Sequence, residues 1–243
     1  MVVVSLMRAV DVRTYFRNRG AHLTGDQDDE AIEFGAPRVH YESQDTWPGT
    51  VRCCLDWRAE IRLTALDASG QAPDVVAGFV DFLVLQLGNQ PVAEVLELYG
   101  ADAAAFAELF EDAWMASDID EADDFAAGMP ISAVLLVLHA GLDPAFAHHE
   151  QLRPRAVSQV VNTMLPTTAG VVAMKAFPSP AVRADTRHLV DAEHLDPDWP
   201  RVGCVSIPGH PAFFGRATAY TFLDDARATL DAVREQTFHV SVP

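Results

Sequence analysis

The sequence predicts an α/β fold on a mixed, mostly antiparallel sheet, and three stretches carry that prediction. Ile131–Pro178 reads as an apolar strand (Ile131–Leu142), a polar turn (Asp143–Leu152), an amphipathic helix (Arg153–Leu165) and a second apolar strand (Gly170–Phe177). That order is the one a parallel crossover needs. Arg52–Asp67 alternates, with Ala59, Ile61, Leu63 and Ala65 on one face and Arg58, Glu60, Arg62 and Thr64 on the other. Period-two alternation marks an antiparallel strand with one solvated face. Val75–Leu87 returns as a more buried strand after a turn at Ala68–Pro73, so the two form a hairpin.

Each element follows in chain order. Residues 1–50 read as an N-terminal extension packed on the main domain, with a strand and a short helix around Val12, Tyr15 and Phe16. Gly25–Glu30 is an acidic loop or helix start, and Gly35-Ala36-Pro37 and Trp47-Pro48-Gly49 are turn signals. Residues 51–243 read as the main domain. In its second strand Val75, Ala77, Phe79, Leu83, Leu85 and Leu87 are expected on one face, with Asp81 as that face's single acid; Val76, Val80, Phe82 and Val84 take the other. Residues 89–127 form a helical insertion. Asn89 is a candidate cap with Pro91 in the first turn, and Gly100 ends that helix. Asp102 caps a second helix carrying Phe106, Leu109, Phe110, Ala113 and Trp114 at spacings of three and four. Asp118–Asp124 is an acidic loop. After Phe177, Pro178-Ser179-Pro180 breaks the sheet and Asp185–Leu195 is a short polar helix. Strands are expected at Arg201–Ile207, Ala217–Leu223 and Phe238–Val242, with a turn at Pro208–Pro211. Asp224-Asp225 caps a last helix with Ala226, Leu230 and Val233 inward.

Composition narrows the function classes. With 49% hydrophobic residues the chain can bury a sizeable core. Its 35 acidic against 17 basic residues give a formal charge of −18. Such a surface repels phosphate backbones, so no nucleic-acid partner is expected. It suits a solvated protein or one that prefers amine-bearing partners. Three cysteines without a C-x-x-C pattern, and no leader-like segment, point to a reducing cytoplasmic setting. No apolar run reaches membrane length, so no membrane partner is expected.

In order and spacing, about residues 52–225 resemble the GNAT superfamily of acyl-CoA-dependent N-acyltransferases. The hairpin leads to a central strand, a turn, a helix and a splayed parallel strand ending at Ala176-Phe177-Pro178. Leu142-Asp143-Pro144-Ala145-Phe146 resembles the family's exit from the central strand. Trp199-Pro200-Arg201-Val202-Gly203-Cys204 resembles its late aromatic-then-glycine passage, with Cys204 in place of Phe. The resemblance implies a GNAT-like sheet with a central splayed parallel pair, flanking helices and the insertion. It also implies transfer of an acyl group from acetyl-CoA or another acyl-CoA to a small amine, and it leaves room for a homodimer.

The family holds the CoA pyrophosphate on a turn of Arg or Gln, two residues, Gly, one residue, and Gly or Ala. Counting on from Asp143-Pro144 puts Ala147, Glu150 and Leu152 at those places. A shift of four gives Gln151-Leu152-Arg153-Pro154-Arg155-Ala156, with Pro154, which has no N–H, where the glycine stands. The second reading is of a degenerate GNAT fold that has lost CoA and acts as a binding or interaction module, or does other chemistry in the same cleft.

The candidate residues follow. Backbone amides near Leu138, Ala140 and Leu142 would hold the cofactor arm by family analogy, and Gln151, Arg153, Arg155 and Ala156 the phosphates. Arg153 and Arg155 also read as solvated arginines offsetting an acidic surface. His139, near the end of the central strand, would accept the amine proton; otherwise it is a hydrogen-bonded strand histidine. Asp81 and Glu60 are the alternative bases, Asp81 being the more informative because a carboxylate in an apolar strand needs a partner. No metal is expected: His148-His149-Glu150 diverge on an extended turn, and Asp118–Asp124 lacks the central glycine of a calcium loop. The Trp199 indole cannot replace a tyrosine general acid, and Cys204 reads as a small buried hydrophobe.

Overall fold

A computed structural model describes residues 9–20, 31–44, 51–66, 73–126, 128–166, 168–176, 196 and 198–241. The expectations for Gly25–Glu30, Trp47–Gly49, Pro178–Pro180 and Asp185–Leu195 lie outside them. β1 (Val10–Asp11) leads into α1 (Val12–Gly20), followed by β2 (Ala31–Ser43), β3 (Cys54–Ala65) and β4 (Asp74–Gln86). The insertion carries α2 (Val92–Glu97), α3 (Ala101–Ala104), a 3-10 turn (Ala105–Leu109), β5 (Phe110–Glu111), β6 (Trp114–Met115), α4 (Ser117–Asp120) and α5 (Asp123–Ala126). Then come β7 (Ala133–Leu142), α6 (Leu152–Met164), β8 (Gly170–Lys175), α7 (Asp198–Arg201), β9 (Val205–Ile207), β10 (His210–Ala217), α8 (Phe222–Asp231) and β11 (Phe238–Ser241).

The fold is α/β on a mostly antiparallel mixed sheet ordered β11-β2-β3-β4-β7-β8-β10-β9, with β1 parallel to the start of β4. β7 and β8 are parallel, joined through α6, and the hairpin β3–β4 is antiparallel along its length. Residues 31–43, read as part of an extension, supply β2 as an integral strand of this sheet.

Two cores lie on opposite faces. One packs Ile61, Leu63, Leu135, Val137, Val157 and Val160 with α1, α6 and α8; the other packs Leu83, Leu85, Val134, Leu136, Phe106 and Ile119 under the insertion. β3 keeps its predicted alternation, with Ala59, Ile61, Leu63 and Ala65 buried. β4 does not. Its register with β3 steps from Ile61↔Gly78 to Arg62↔Val76, so Ala77 is an extra residue. That bulge reverses the parity, as bulges do. Val75 and Ala77 therefore join Val80, Phe82 and Val84, and not Leu83 and Leu85.

Local corrections have similar causes. Gly35-Ala36-Pro37 is a bulge inside β2 and not a turn, with Ala36 at φ +49°. The helical spacing at Phe106–Trp114 ends in the β5–β6 hairpin, because Val92 and Gly88 donate to the Asp112 and Ala113 carbonyls and replace helix bonds with tertiary ones. Pro91 and Gly100, not Asn89 and Asp102, stand at the N-caps of α2 and α3. Residues 117–126 form two short helices where a loop was expected. β10 occupies part of the expected Pro208–Pro211 turn, and Thr221, not Asp224 or Asp225, precedes α8, whose first residues were read as strand.

Candidate functional site

The site follows from where β7 and β8 stop pairing. Their parallel ladder runs from Ala133↔Gly170 to Val137↔Met174 and ends. β7 continues to Leu142 on β4 alone, while β8 continues to Lys175 on β10. Past the Val137↔Met174 pair, β7 and β8 no longer hydrogen-bond to each other. At the same point the register with β4 steps from Phe82↔Val137 to Asp81↔His139, which leaves Leu138 as an extra residue. The parity flips. Ala140 and Leu142 pack with the α6-face core, and Leu138 packs under the insertion. His139 reaches the insertion, where its Nε2 lies 3.2 Å from Asp102 Oδ2.

Asp102 is shared. Its Oδ1 accepts from Lys175 Nζ at 2.7 Å, and Lys175 is the only lysine in the chain. The three side chains are all partly exposed, so a ligand from solvent reaches them. A carboxylate on one ring nitrogen orients an imidazole and fixes its tautomer, the arrangement a general base needs. Beside it the register aligns Arg58, Asp81 and His139 across three strands. Arg58 donates to both Asp81 oxygens at 2.6 and 2.8 Å. That hydrogen bond holds the Arg58 guanidinium above its ordinary pKa against the opposing effect of burial. Glu60 Oε2 accepts from Arg62 at 2.9 and 2.7 Å. Both alternative bases are thus tied to arginines, whereas His139 faces a carboxylate.

The turn before α6 shows whether acyl-CoA phosphates fit. Gln151 stands at the N-cap and its Oε1 accepts from Gln236 at 3.4 Å. Arg153 is held by Asp198 at 2.6 Å and Asp196 at 2.8 Å, and stacks on Trp199. Both aspartates are buried, at 4% exposure for Asp196 and 3% for Asp198. Burial pushes the Asp198 carboxyl up in pKa, and Arg153 pulls it back. Glu150 adds a third carboxylate, paired with Arg201 at 3.2 Å. Arg155 and Ala156 are buried, and burial lowers the Arg155 pKa. Pro154 lies in the first turn of the helix. A pyrophosphate needs free N–H groups and positive charge there. This seat offers arginines that are already paired or buried, together with buried carboxylates, so the residues present do not fit the CoA phosphates.

The remaining candidates have structural partners. His148 and His149 do not diverge as expected: their rings lie 3.9 Å apart, tilted by 44°, and both face the His239 carbonyl. Among the described residues no group of three or more His, Cys, Asp or Glu side chains is arranged to hold a metal. Trp199 Nε1 donates to the Lys175 carbonyl at 2.8 Å. Cys204 is buried and its thiol is pushed up to about 12 by that burial, which removes it as a nucleophile. Sequence reasoning missed Asp102, Lys175, Asp196 and Asp198. Lys175 carried a signal, as a lone lysine in an apolar strand.

Scans against protein-family models, curated proteins and solved structures match nothing to this chain. Among the described residues no helix is long and apolar enough to cross a membrane.

Proposed function

We propose that the chain is a GNAT-like protein that receives a small amine at the His139–Asp102–Lys175 cluster, where β7 and β8 stop pairing, and no longer anchors an acyl-CoA at α6. Its likeness to that superfamily is supported by the order of hairpin, central strand, crossover helix and parallel strand. The observation that carries the loss of the cofactor is the double ion pair of Arg153 with buried Asp196 and Asp198. The amine side is His139, oriented by Asp102, whose ring offers a hydrogen-bond partner to the amine nitrogen. The net charge of −18 draws cations towards it. Three free cysteines support a reducing, cytoplasmic setting.

A second reading keeps N-acyl transfer from acyl-CoA. It is favoured by the bulge at Leu138, which puts Ala140 and Leu142 on the α6 face and His139 on the other. A donor and an acceptor would then meet from opposite sides of one strand.

Thermal melting separates the two. A ligand at 100 times its Kd adds about 2.7 kcal/mol of stability. Millimolar acetyl-CoA is expected to leave Tm unchanged. Propylamine or putrescine is expected to raise it, and His139→Ala to abolish the rise. A clear shift with acetyl-CoA overturns the first reading in favour of the second. No shift with any amine sinks the assignment of this cluster as an amine site.

A further inference from the structure

A cavity lies away from the His139 cluster, where α7, β10 and the start of α8 meet. It is an open groove of about 800 Å³. Gly203 shapes it: φ is +90°, and a Cβ there would come 2.7 Å from the Phe222 carbonyl oxygen, so only glycine lets the end of α7 approach α8 this closely.

Arg216 of β10 lines this groove and is 8% exposed. Its Nε is buried with no hydrogen bond, and among the described residues its guanidinium has no hydrogen-bond or ion-pair partner. What it touches is aromatic: Tyr220 and Phe222 each lie 4.5 Å from its central carbon. Stacking engages the faces of a guanidinium and leaves its N–H edges for an oxyanion. A buried cation is normally paired. This chain has twice as many acidic as basic residues, and none of the described ones turns to Arg216. Cys204 on the floor is no counter-ion, because burial holds its thiol protonated.

We propose that this groove binds an organic carboxylate whose head pairs with the Arg216 guanidinium and whose apolar body lies on Phe222, Val205 and Leu230. Phe222 and Val205 are 53% and 39% exposed, so apolar surface is available on the wall. Arg201, the other cation of the groove, is already paired with Glu150 and Asp198. Asp225 on the rim and the net charge of −18 oppose a dianion, which selects a monoanionic carboxylate over a phosphate. The fork geometry of arginine matches a carboxylate through two parallel N–H bonds. The site shares no residue with the His139 cluster and does not rest on the amine reading.

Calorimetric titration of the full chain with octanoate at about 0.15 M salt tests it, with octanol and inorganic phosphate as controls. Octanoate is expected to bind and octanol not. Arg216→Met is expected to weaken octanoate by about tenfold or more. Thr229→Trp, an exposed substitution that fills the groove while leaving Arg216 in place, is expected to weaken it as well, and it serves if Arg216→Met does not fold. No binding of octanoate, or binding indifferent to both substitutions, overturns the site. Phosphate binding as tightly as octanoate overturns the carboxylate assignment.

Discussion

Three arginines of one chain show how environment decides a residue's task. Arg153 is clamped between two buried carboxylates, Arg155 is buried in α6, and Arg216 is buried against two aromatic rings beside an open groove, with its Nε unbonded. In sequence, Arg153 and Arg155 looked like equivalent phosphate ligands at a helix start. The structure gives Arg153 a stabilising role that a ligand-only arginine lacks. Replacing it by Ala leaves Asp196 and Asp198 buried beside each other, with only the longer 3.5 Å contact of Arg201 to Asp198 remaining among the described residues. Removing one partner of a buried pair costs about 3–5 kcal/mol, and urea denaturation of Arg153→Ala is expected to show a loss of that order. Arg201→Ala removes pairs in which one or both partners are exposed, and for such pairs a loss of about 1 kcal/mol or less is expected. A near-neutral Arg153→Ala would free that side chain for a ligand and reopen the cofactor reading.

At the scale of elements, the two bulges in β4 and β7 place the site. Gly78 sits in the first of them, opposite Leu142, and a Cβ there would run into the Gly141 carbonyl oxygen. Gly78→Ala must push β7 away from β4 near the residues that carry His139. Overpacking of this kind costs about 1–3 kcal/mol. A lower Tm is expected, together with weaker amine binding than an equally destabilising core substitution away from β7 produces. Equal binding in the two variants would show that the bulge does not position His139. The same bulges explain what could be read from the chain. The alternation of β3 and the β7–α6–β8 unit were legible because each is periodic within one segment. The bulge at Ala77 was not, because an extra residue exists only relative to a partner strand. The pairing of Lys175 with Asp102 spans 73 positions, and no local pattern links them. The helical spacing of Phe106–Trp114 was misleading because tertiary bonds from Gly88 and Val92 outweighed it.

Across the whole molecule, stability and ligand choice are governed by charge. Acidic residues outnumber basic ones 35 to 17, and the repulsion of this excess opposes the compact state. The Debye length falls from about 30 Å at 0.01 M salt to about 8 Å at 0.15 M. Surface repulsion that acts across the molecule at low salt is then confined to near neighbours. Tm is expected to rise by a few degrees over that range, since about 1 kcal/mol shifts Tm by roughly 2–4 °C in a chain of this size. Exposed pairs such as Arg38–Asp74 weaken over the same range, but each contributes about 1 kcal/mol or less and they are outnumbered. A Tm that falls with salt would mean that these pairs outweigh the repulsion. The sign also bears on the ligand tests. Amines condense on any strongly acidic surface at low salt, whereas octanoate is repelled by it. Amine binding that survives at 0.15 M and disappears in His139→Ala therefore reports the His139–Asp102–Lys175 cluster. Octanoate binding that strengthens with salt and depends on Arg216 reports a local cation working against the field of the whole protein.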